Sequence, residues 1–329
     1  MNRSNGGLRN VNLDVLRCFA MVAIVLCHVY QHDTAVVPVS STRDMLFLLL
    51  IRWHVDVFVG LSGWFGMIFS FKKFGKIWGL IAFYSLVSII VGRCVLGDST
   101  PIRVDGGWFG NAYLCLMLIA PILNAAVENL VSKGHRIAWL AWGGFAIVMM
   151  FNWVSRNCYF GIHAWDVFSH SLVQMVFVYF TVRLFRLTGL VNHVRLWHIG
   201  AATLFFVAGC FVLGKARTDY IAPYTITMAI ALLVLFDKYV KFPKWLTSAC
   251  VWAAPAMFGV YLLHGPTSFG KLFHRIPLRY IVEVGINSEL AVVCAALVCF
   301  AICLMLEVVR KYLFKHLTSC FAPIKPNLI

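Results

Sequence analysis

An arginine and a histidine stand at a helical spacing inside the first apolar segment of the chain, Leu13–Gln31. Arg17 and His28 are separated by ten residues, and eleven steps of about 100° each come to roughly three helical turns. Both side chains therefore project from nearly the same face, about 16 Å apart along the axis at about 1.5 Å per residue. Ionisable groups inside a membrane helix are costly and by default indicate a functional site. The pair thus indicates chemistry that needs a guanidinium near one face of a bilayer and an imidazole near the other.

Each residue of this pair also has a structural interpretation. Arg17 can be an anchor that extends its charged group to the membrane surface and pairs with Asp14, one turn back. His28 can be an interfacial histidine at the end of a helix. Their occurrence together on one stripe favours the functional interpretation.

The second apolar segment adds three ionisable residues within five positions, Arg52, His54 and Asp56. Because charged side chains at membrane depth avoid lipid, they must line a cavity or pair with one another. Arg52 and Asp56 are four residues apart and can form an ion pair within one helix. Ser62 and Gly63 follow among aromatic residues, which indicates a close helix approach, a broken helix or ordinary packing.

A second histidine is expected near the depth of His28. The ninth apolar segment, Thr247–Gly265, carries His264 at its end, and Gly265 and Pro266 stop the helix. His264 is therefore expected at the outer end of its helix. Its alternative role there is that of a cation favoured by the dipole at a helix C-terminus.

Composition sets the fold class. Hydrophobic residues make up 61% of the 329 residues and charged residues 12%, and the mean hydropathy is +0.83. Soluble globular domains do not have this balance, and apolar runs long enough to cross a bilayer recur from end to end. We predict an all-α integral membrane protein, a bundle of about ten transmembrane helices in a single domain over residues 1–329. The ten segments are Leu13–Gln31, Met45–Phe69, Ile77–Leu96, Trp108–Val127, Ile137–Asn152, Phe168–Phe185, Leu196–Leu213, Ile221–Phe236, Thr247–Gly265 and Leu290–Phe314.

Basic residues predict the orientation. The formal net charge is +15, and an N-terminus in the cytoplasm puts most Lys and Arg residues on the cytoplasmic side. An even number of spans then puts both termini in the cytoplasm, as short tails of residues 1–12 and 315–329. This distribution argues against nucleic-acid binding, and the basic rim would attract anionic lipid or a phosphorylated cytosolic ligand. The sequence has no metal-ligand spacing and no phosphate-binding loop, so no metal site is predicted.

Several stretches resemble the acyltransferase-3 family of membrane acyltransferases. The first helix of that family opens with Leu-Asp-x-Leu and has an Arg, ten residues and a His, and it resembles LDVLRCFAMVAIVLCHVYQH, where Arg17 and His28 match position for position. Its second and fourth helices and a late Tyr-Leu-Leu-His segment are similar to VDVFVGLSGWFGM, GGWFGNAYLCLMLIAPILN and FGVYLLHGP. These further resemblances are carried by Phe58, Ser62, Gly63, Trp64, Trp108, Phe109, Pro121, Tyr261 and His264. Val59 stands where the family often has a second Phe.

This resemblance implies transfer of an acyl group, usually acetyl, from cytosolic acyl-CoA to a hydroxyl of an extracytoplasmic acceptor. The acceptor is typically a sugar of a surface polysaccharide or of a lipid-linked precursor. The expected setting is the bacterial cytoplasmic membrane, in which the protein is multi-pass. Acetyl-CoA is the implied co-substrate, and no permanently bound cofactor is implied.

The resemblance also suggests roles for the polar residues. His28 is the general base that takes the proton of the acceptor hydroxyl, or it carries the acyl group covalently. Arg17 holds the CoA phosphates or orients the arm, and Asp14 fixes Arg17. Substrate-binding residues are expected at His264, Tyr261, Ser62, His54, Asp56 and Trp108.

A secondary transporter or flippase is the competing interpretation. Such a protein also uses intramembrane Arg, His and Asp side chains, in that case as a proton relay. It would titrate these groups during transport and form no covalent product. Proton-coupled uptake that needs no acceptor would indicate this class of protein.

Overall fold

The computed structural model describes residues 10–32, 51–97, 104–157, 171–213, 220–265, 269, 271–284 and 288–320. Within these ranges the regular structure is entirely helical. In chain order the helices are α1 (Val11–His32), α2 (His54–Phe65), α3 (Phe71–Ile90), α4 (Gly107–Ser132), α5 (His135–Asn157), α6 (Leu172–Leu187), α7 (Leu190–His193), α8 (Leu196–Leu213), α9 (Pro223–Val234), α10 (Lys244–Ala253), α11 (Met257–His264), α12 (Ile276–Glu283) and α13 (Ser288–Cys320). Wider π-helical turns extend α3 over Val91–Val95 and α9 over Leu235–Tyr239, and a third, Lys271–Arg275, precedes α12.

Six helical stretches of the described residues are long and apolar enough to cross a membrane, which confirms an all-helical protein with several membrane spans. They are Val11–Tyr30, Phe71–Val95, Gly107–Ser132, His135–Val154, Lys244–His264 and Leu290–His316. The other four predicted segments contain the shorter helices α2, α6, α8 and α9, so ten spans and cytoplasmic termini remain predictions. Residues 45–50 and 168–170 of those segments, and 1–9 and 321–329 of the predicted tails, lie outside the described ranges.

Helix α1 lies at the centre of the bundle. In its most apolar stretch 72% of the residues are buried, against 17% in the corresponding stretches of α3 and α5. It packs against α2, α10, α11 and α13, and its buried side chains include Leu16, Ala20 and Ile24. This position keeps the polar residues of α1 among other helices, where such groups are tolerated in a membrane.

Helices α2 and α6 approach each other closely at Gly63. A Cβ atom at this position would lie 2.6 Å from the backbone oxygen of Tyr179, so a side chain does not fit there. Of the three interpretations of Ser62 and Gly63, the close helix approach is confirmed. Helix α2 ends before Gly66, whose φ of 71° lies in the left-handed region that glycine favours.

The span that carries His264 is interrupted in its middle. Helix α10 ends at Ala253, a 3₁₀ turn follows over Ala254–Ala256, and α11 continues to His264. The sequence predicts this span without an interruption. Pro255 accounts for the difference, because it has no N–H to donate and its ring crowds the preceding turn. The helix then ends before Gly265, as predicted.

The start of α4 reaches into the bundle. Ahead of this helix, the backbone N–H of Asp105 donates to Ser85 Oγ at 3.0 Å, in the second half of α3. Helix α4 therefore begins alongside α3 rather than beyond its end. This arrangement brings Phe109 and Tyr113, in the first turns of α4, against the interior helices α2 and α11.

Candidate functional site

A cavity of about 290 Å³ lies between α1, α2, α3, α4 and the break that separates α10 from α11. Its polar lining side chains are those of Arg17, Ser62 and Tyr113. The remaining lining residues are apolar: Phe58, Leu61, Phe65, Met67, Ile77, Phe109, Ala254, Pro255, Met257 and Phe258. A concave surface with apolar walls and a few polar groups is typical of a small-molecule binding site.

Arg17 is held in the cavity wall by Asp14. Its Nη1 donates to Asp14 Oδ1 at 3.0 Å, one turn apart on α1. The carboxylate is buried, whereas 29% of the arginine side chain is exposed. The pairing considered from the sequence is therefore present and does not remove the guanidinium from the cavity. Because a guanidinium has several N–H donors in a planar fork, it can bind an anion and keep this bond.

A pair of hydroxyl groups lines the same cavity. Ser62 Oγ and Tyr113 Oη are 3.1 Å apart, which joins α2 to α4. The ring of Tyr113 stacks on that of Phe109, one turn earlier, with centroids 5.7 Å apart and an interplanar angle of 17°. The sequence predicts a binding role for Ser62 but not for Tyr113. The signal for Tyr113 was its position four residues after Phe109, on the same helix face.

Aromatic contacts continue from the cavity to the two histidines. The ring centroid of Phe109 is 5.2 Å from that of Tyr261, which is 5.9 Å from that of His264. The imidazole centroids of His28 and His264 are 4.9 Å apart, at an interplanar angle of 33°. The structure thus brings together two histidines that the sequence placed at similar depth. Arg17 and His28, both on α1, lie at the two ends of this line of contacts.

His264 is fully buried at the C-terminal end of α11. Its Nδ1 is 2.7 Å from the carbonyl oxygen of Val260, and since a carbonyl only accepts, Nδ1 is the donor. In the neutral ring Nε2 is then the accepting nitrogen. His28, on the central helix, is half-buried. One imidazole of the pair therefore has a defined orientation, and the other is more accessible.

A second cluster gathers around Tyr220, just before α9. Trp108 stacks on Tyr220 with ring centroids 5.7 Å apart and an interplanar angle of 30°. The ring of His54 is 5.7 Å from that of Tyr220, and the guanidinium carbon of Arg52 is 5.9 Å from it. Trp108 also contacts Phe109 edge-to-face at 5.8 Å. This cluster therefore adjoins the contacts that lead to the histidine pair.

Asp56 has a partner on another helix. Its Oδ1 accepts a hydrogen bond from Gln174 Nε2 of α6 at 2.7 Å, and both residues are buried. The sequence is compatible with an ion pair to Arg52 or with a position lining a cavity, and it contains no indication of this amide donor. Nor does it indicate a role for Tyr220, because an aromatic residue beside an apolar segment is typical of an interfacial belt.

In the part of the chain that the structure describes, no three His, Cys, Asp or Glu side chains are grouped to hold a metal ion. The predicted residues instead fall into connected groups. The cavity has Arg17 and Ser62, the line beyond it has Tyr261 and the two histidines, and the Tyr220 cluster has His54 and Trp108.

Comparison with known proteins identifies the family to which the chain belongs. No curated protein and no solved structure matches the chain. The model of the acyltransferase-3 family, described as an acyltransferase domain, matches residues 10–308. This range begins just before α1 and ends within α13, so it includes the cavity, the histidine pair and the Tyr220 cluster. The resemblance drawn from the sequence motifs is thus confirmed, and the chain belongs to the acyltransferase-3 family of membrane acyltransferases.

Proposed function

We propose that the protein transfers an acetyl group from cytosolic acetyl-CoA to a hydroxyl of an extracytoplasmic surface glycan or lipid-linked sugar. The observation that carries this proposal is the line of contacts that joins Arg17, in the cavity, to the imidazoles of His264 and His28. Such a line suits a donor that is anionic at one end and has a reactive thioester at the end of a thin arm. Membership of the acyltransferase-3 family supports acyl transfer itself.

The donor binds at the Arg17 cavity in this proposal. Arg17 makes charge-assisted hydrogen bonds to a phosphate or to the arm. At about 290 Å³ the cavity is at the small end of ligand pockets, which suits the arm better than the nucleotide. The nucleotide stays outside, where exposed Lys72, Lys73 and Lys76 precede the lining residue Ile77 on α3. Clustered basic side chains of this kind attract phosphate groups.

The histidine pair carries out the transfer in this proposal. His28 takes the proton of the acceptor hydroxyl while its oxygen attacks the thioester carbon. The carbon–oxygen bond forms, the carbon–sulfur bond breaks, and the proton passes from His28 to the CoA thiolate, so the products are an ester and CoA. His264, oriented through Val260, holds the acceptor hydroxyl. In the covalent variant the acyl group moves first to an imidazole nitrogen of His28 and then to the hydroxyl.

The acceptor binds beside Tyr220. The stacked rings of Trp108 and Tyr220 provide a flat apolar surface, and His54 and Arg52 add polar groups next to it. A sugar has both apolar C–H faces and hydroxyl groups, so it suits an aromatic surface with convergent polar groups. The contact between Trp108 and Phe109 connects this surface to the histidine pair.

The membrane is the bacterial cytoplasmic membrane, with Arg17 toward the cytoplasm and His28 toward the outer face. Two arguments support this orientation. With the N-terminus in the cytoplasm, most Lys and Arg residues of the tails and connections fall on the cytoplasmic side, as is usual for membrane proteins. Acyl-CoA is a cytosolic molecule, and the basic start of α3 lies beside the cavity that contains Arg17.

The test uses purified protein in lipid nanodiscs with acetyl-CoA labelled in its acetyl group. Label transfer to an added lipid-linked glycan fraction and release of free CoA are both measured. The site variants are His28→Ala and Arg17→Ala, and the matched controls are His135→Ala and Arg136→Ala, exposed residues at the start of α5. We expect His28→Ala to lower turnover by about 10²–10⁴-fold, the typical contribution of a general base.

The outcomes separate the residue roles from the reaction class. Retained turnover in folded His28→Ala protein would overturn the role of His28. No acetyl-CoA binding and no CoA release by the wild type would overturn the donor. Proton-coupled uptake into sealed vesicles without an acceptor would then favour a transporter.

A further inference from the structure

The donor cavity has few polar groups, and two of them contact each other. Among the described residues that line it, the polar side chains are Arg17 and the hydroxyl pair formed by Ser62 and Tyr113. The two hydroxyl oxygens are 3.1 Å apart, and the surrounding wall consists of aromatic and aliphatic side chains. The hydroxyl pair is therefore where a polar segment of a bound molecule can be held away from Arg17.

The hydroxyl pair has capacity for a ligand. Each hydroxyl can donate one hydrogen and can also accept, and the contact between the two uses one hydrogen. Ser62 Oγ also lies 3.5 Å from the carbonyl oxygen of Phe58, at which distance a hydrogen bond is weak. When Ser62 donates to Tyr113, the phenol hydrogen remains to donate elsewhere and the serine oxygen still accepts. The carbonyl of an amide can accept this phenol hydrogen. The N–H of a trans amide points the opposite way, so a second hydroxyl 3.1 Å from the first does not reach it.

We propose that Ser62 and Tyr113 recognise an amide group of the donor's arm, which makes Tyr113 a donor-binding residue. This inference rests on the proposed function and identifies the part of the donor that the cavity recognises. The arm of acyl-CoA is a thin chain that contains amide groups between the nucleotide and the sulfur. An amide that enters an apolar cavity without a partner pays a desolvation penalty. Tyr113 donates to the amide carbonyl, and Ser62 donates to Tyr113 Oη and so orients the phenol.

The position of the hydroxyl pair also suits the direction of the arm. Tyr113 stacks on Phe109, and the ring of Phe109 contacts that of Tyr261, one turn before His264. An amide held at Tyr113 therefore lies on the path from the cavity to the histidines. The thioester, which follows the amide along the arm, is then directed toward them.

Two small acetyl thioesters separate amide recognition from thioester recognition. S-acetyl-N-acetylcysteamine contains an amide, whereas S-pentyl thioacetate has the same chain length and none. Equilibrium binding of each, and of acetyl-CoA, is measured with acetyl-labelled compounds and protein in nanodiscs. The variants are Tyr113→Phe, which keeps the ring, and Ser62→Ala. Tyr280→Phe, at an exposed tyrosine of α12, is the matched control.

The ratio of the affinity for S-acetyl-N-acetylcysteamine to the affinity for S-pentyl thioacetate should fall by about three- to tenfold in Tyr113→Phe. This is the effect expected from the loss of one hydrogen bond. Ser62→Ala, which removes the group that orients the phenol, should lower the ratio by a smaller factor, and Tyr280→Phe should leave it at the wild-type value. Unchanged binding of S-pentyl thioacetate shows that the variants are folded.

Other results identify which proposal fails. An unchanged ratio in both variants, with acetyl-CoA still bound, would overturn the inference and leave the proposed function standing. If the wild type prefers S-acetyl-N-acetylcysteamine in a way that depends on Tyr113 and yet does not bind acetyl-CoA, the result would support amide recognition by the hydroxyl pair. It would also overturn the assignment of acetyl-CoA as the donor. A wild type that binds none of the three compounds would overturn both proposals.

Discussion

Two acid–arginine pairs with the same helical spacing lie in different surroundings. Asp14 and Arg17 near the start of α1, and Glu307 and Arg310 near the end of α13, are each three residues apart. The N–O distances are 3.0 Å and 2.7 Å, and both carboxylates are buried. What separates the pairs is the surroundings of each guanidinium group.

The Glu307 pair has partners on three helices. Arg310 donates to both carboxylate oxygens, from Nε at 2.8 Å and from Nη2 at 2.7 Å, and Tyr84 of α3 donates to Oε2 at 2.6 Å. The guanidinium carbon is 5.4 Å from the ring centroid of Phe314. The carboxylate also packs against α11, where a Cβ at Gly259 would lie 2.3 Å from Glu307 Cδ. This network connects α3, α11 and α13.

The Arg17 pair instead borders the cavity. Its guanidinium has one bond to Asp14 and shares the cavity wall with Ser62 and Tyr113. The spacing of an acid and an arginine along a helix therefore does not distinguish a structural ion pair from a binding group. The surroundings of the guanidinium distinguish the two cases. Arg310 contacts aromatic rings and both oxygens of its carboxylate, whereas Arg17 borders an apolar cavity. Substitution of Arg310 should thus act on stability, and substitution of Arg17 on donor binding.

The largest expected effect is that of Arg310→Gln on stability. This change leaves the buried carboxylate of Glu307 without its main counter-charge, and the free energy of unfolding should fall by about 3–5 kcal/mol. Thermal unfolding in detergent measures the change, with Arg136→Gln, at an exposed position, as the control. The double variant Arg310→Gln, Glu307→Gln should recover part of the loss because no buried charge remains. A melting temperature unchanged by Arg310→Gln would contradict the assignment.

Arg17→Gln should produce the converse result. The affinity for acetyl-CoA should fall by about 10–100-fold, since a hydrogen bond to a charged group contributes about 1.5–3 kcal/mol. Its melting temperature should change less than that of Arg310→Gln. Equilibrium binding and thermal unfolding on the same preparations test both statements. A loss of stability at Arg17 as large as at Arg310 would remove the distinction between the two pairs.

Gly259→Ala should have an intermediate effect through the Glu307 carboxylate. The added Cβ must displace that carboxylate, and overpacking of this kind costs about 1–3 kcal/mol. Turnover should fall as well, because α11 also carries Tyr261 and His264. Glu307→Asp in the same chain shortens the acid and should restore much of both losses. Gly200→Ala, where a Cβ would meet open space, should lose neither, and equal losses at both glycines would contradict the contact.

The features that the sequence predicted well depend on local pattern. The length of the first apolar segment predicts α1, and the Gly265–Pro266 pair predicts the end of α11 at His264. The proximity of His28 and His264 follows from the packing of α1 against α11, which similar depth alone only suggested. Apolar composition continues through the break at the end of α10, so it concealed the effect of the proline there.

The features that the sequence could not predict depend on contacts between distant segments. Tyr113 meets Ser62 because the start of α4 lies inside the bundle, and this placement depends on Asp105 and Ser85 rather than on any periodicity. Tyr220 meets Trp108 and His54, each of which lies more than 100 residues earlier in the chain. A local motif identifies which residues are polar or aromatic, and only packing determines which of them share a cavity.

Asp14→Asn should have the smallest effect, and it tests whether the carboxylates of the two ion pairs have different roles. The amide of the asparagine retains an acceptor oxygen for Arg17, and the arginine keeps its charge. Because Arg17 is partly exposed, loss of its ion pair with Asp14 should raise the KM for acetyl-CoA by about two- to fivefold. Ion pairs with access to solvent contribute free energies of this size. Stability should change little.

Glu307→Gln is the matched substitution at the other pair. It removes the charge that Arg310, Lys311 and Tyr84 all face, so it should destabilise the protein far more than Asp14→Asn and leave the KM of the surviving folded protein nearly unchanged. Steady-state kinetics and thermal unfolding on both variants give the comparison. Equal effects of the two substitutions on KM would show that both pairs act on the donor. Equal effects on stability would show that Asp14 also holds the bundle together, so that the guanidinium of Arg17 would no longer be assigned mainly to the ligand.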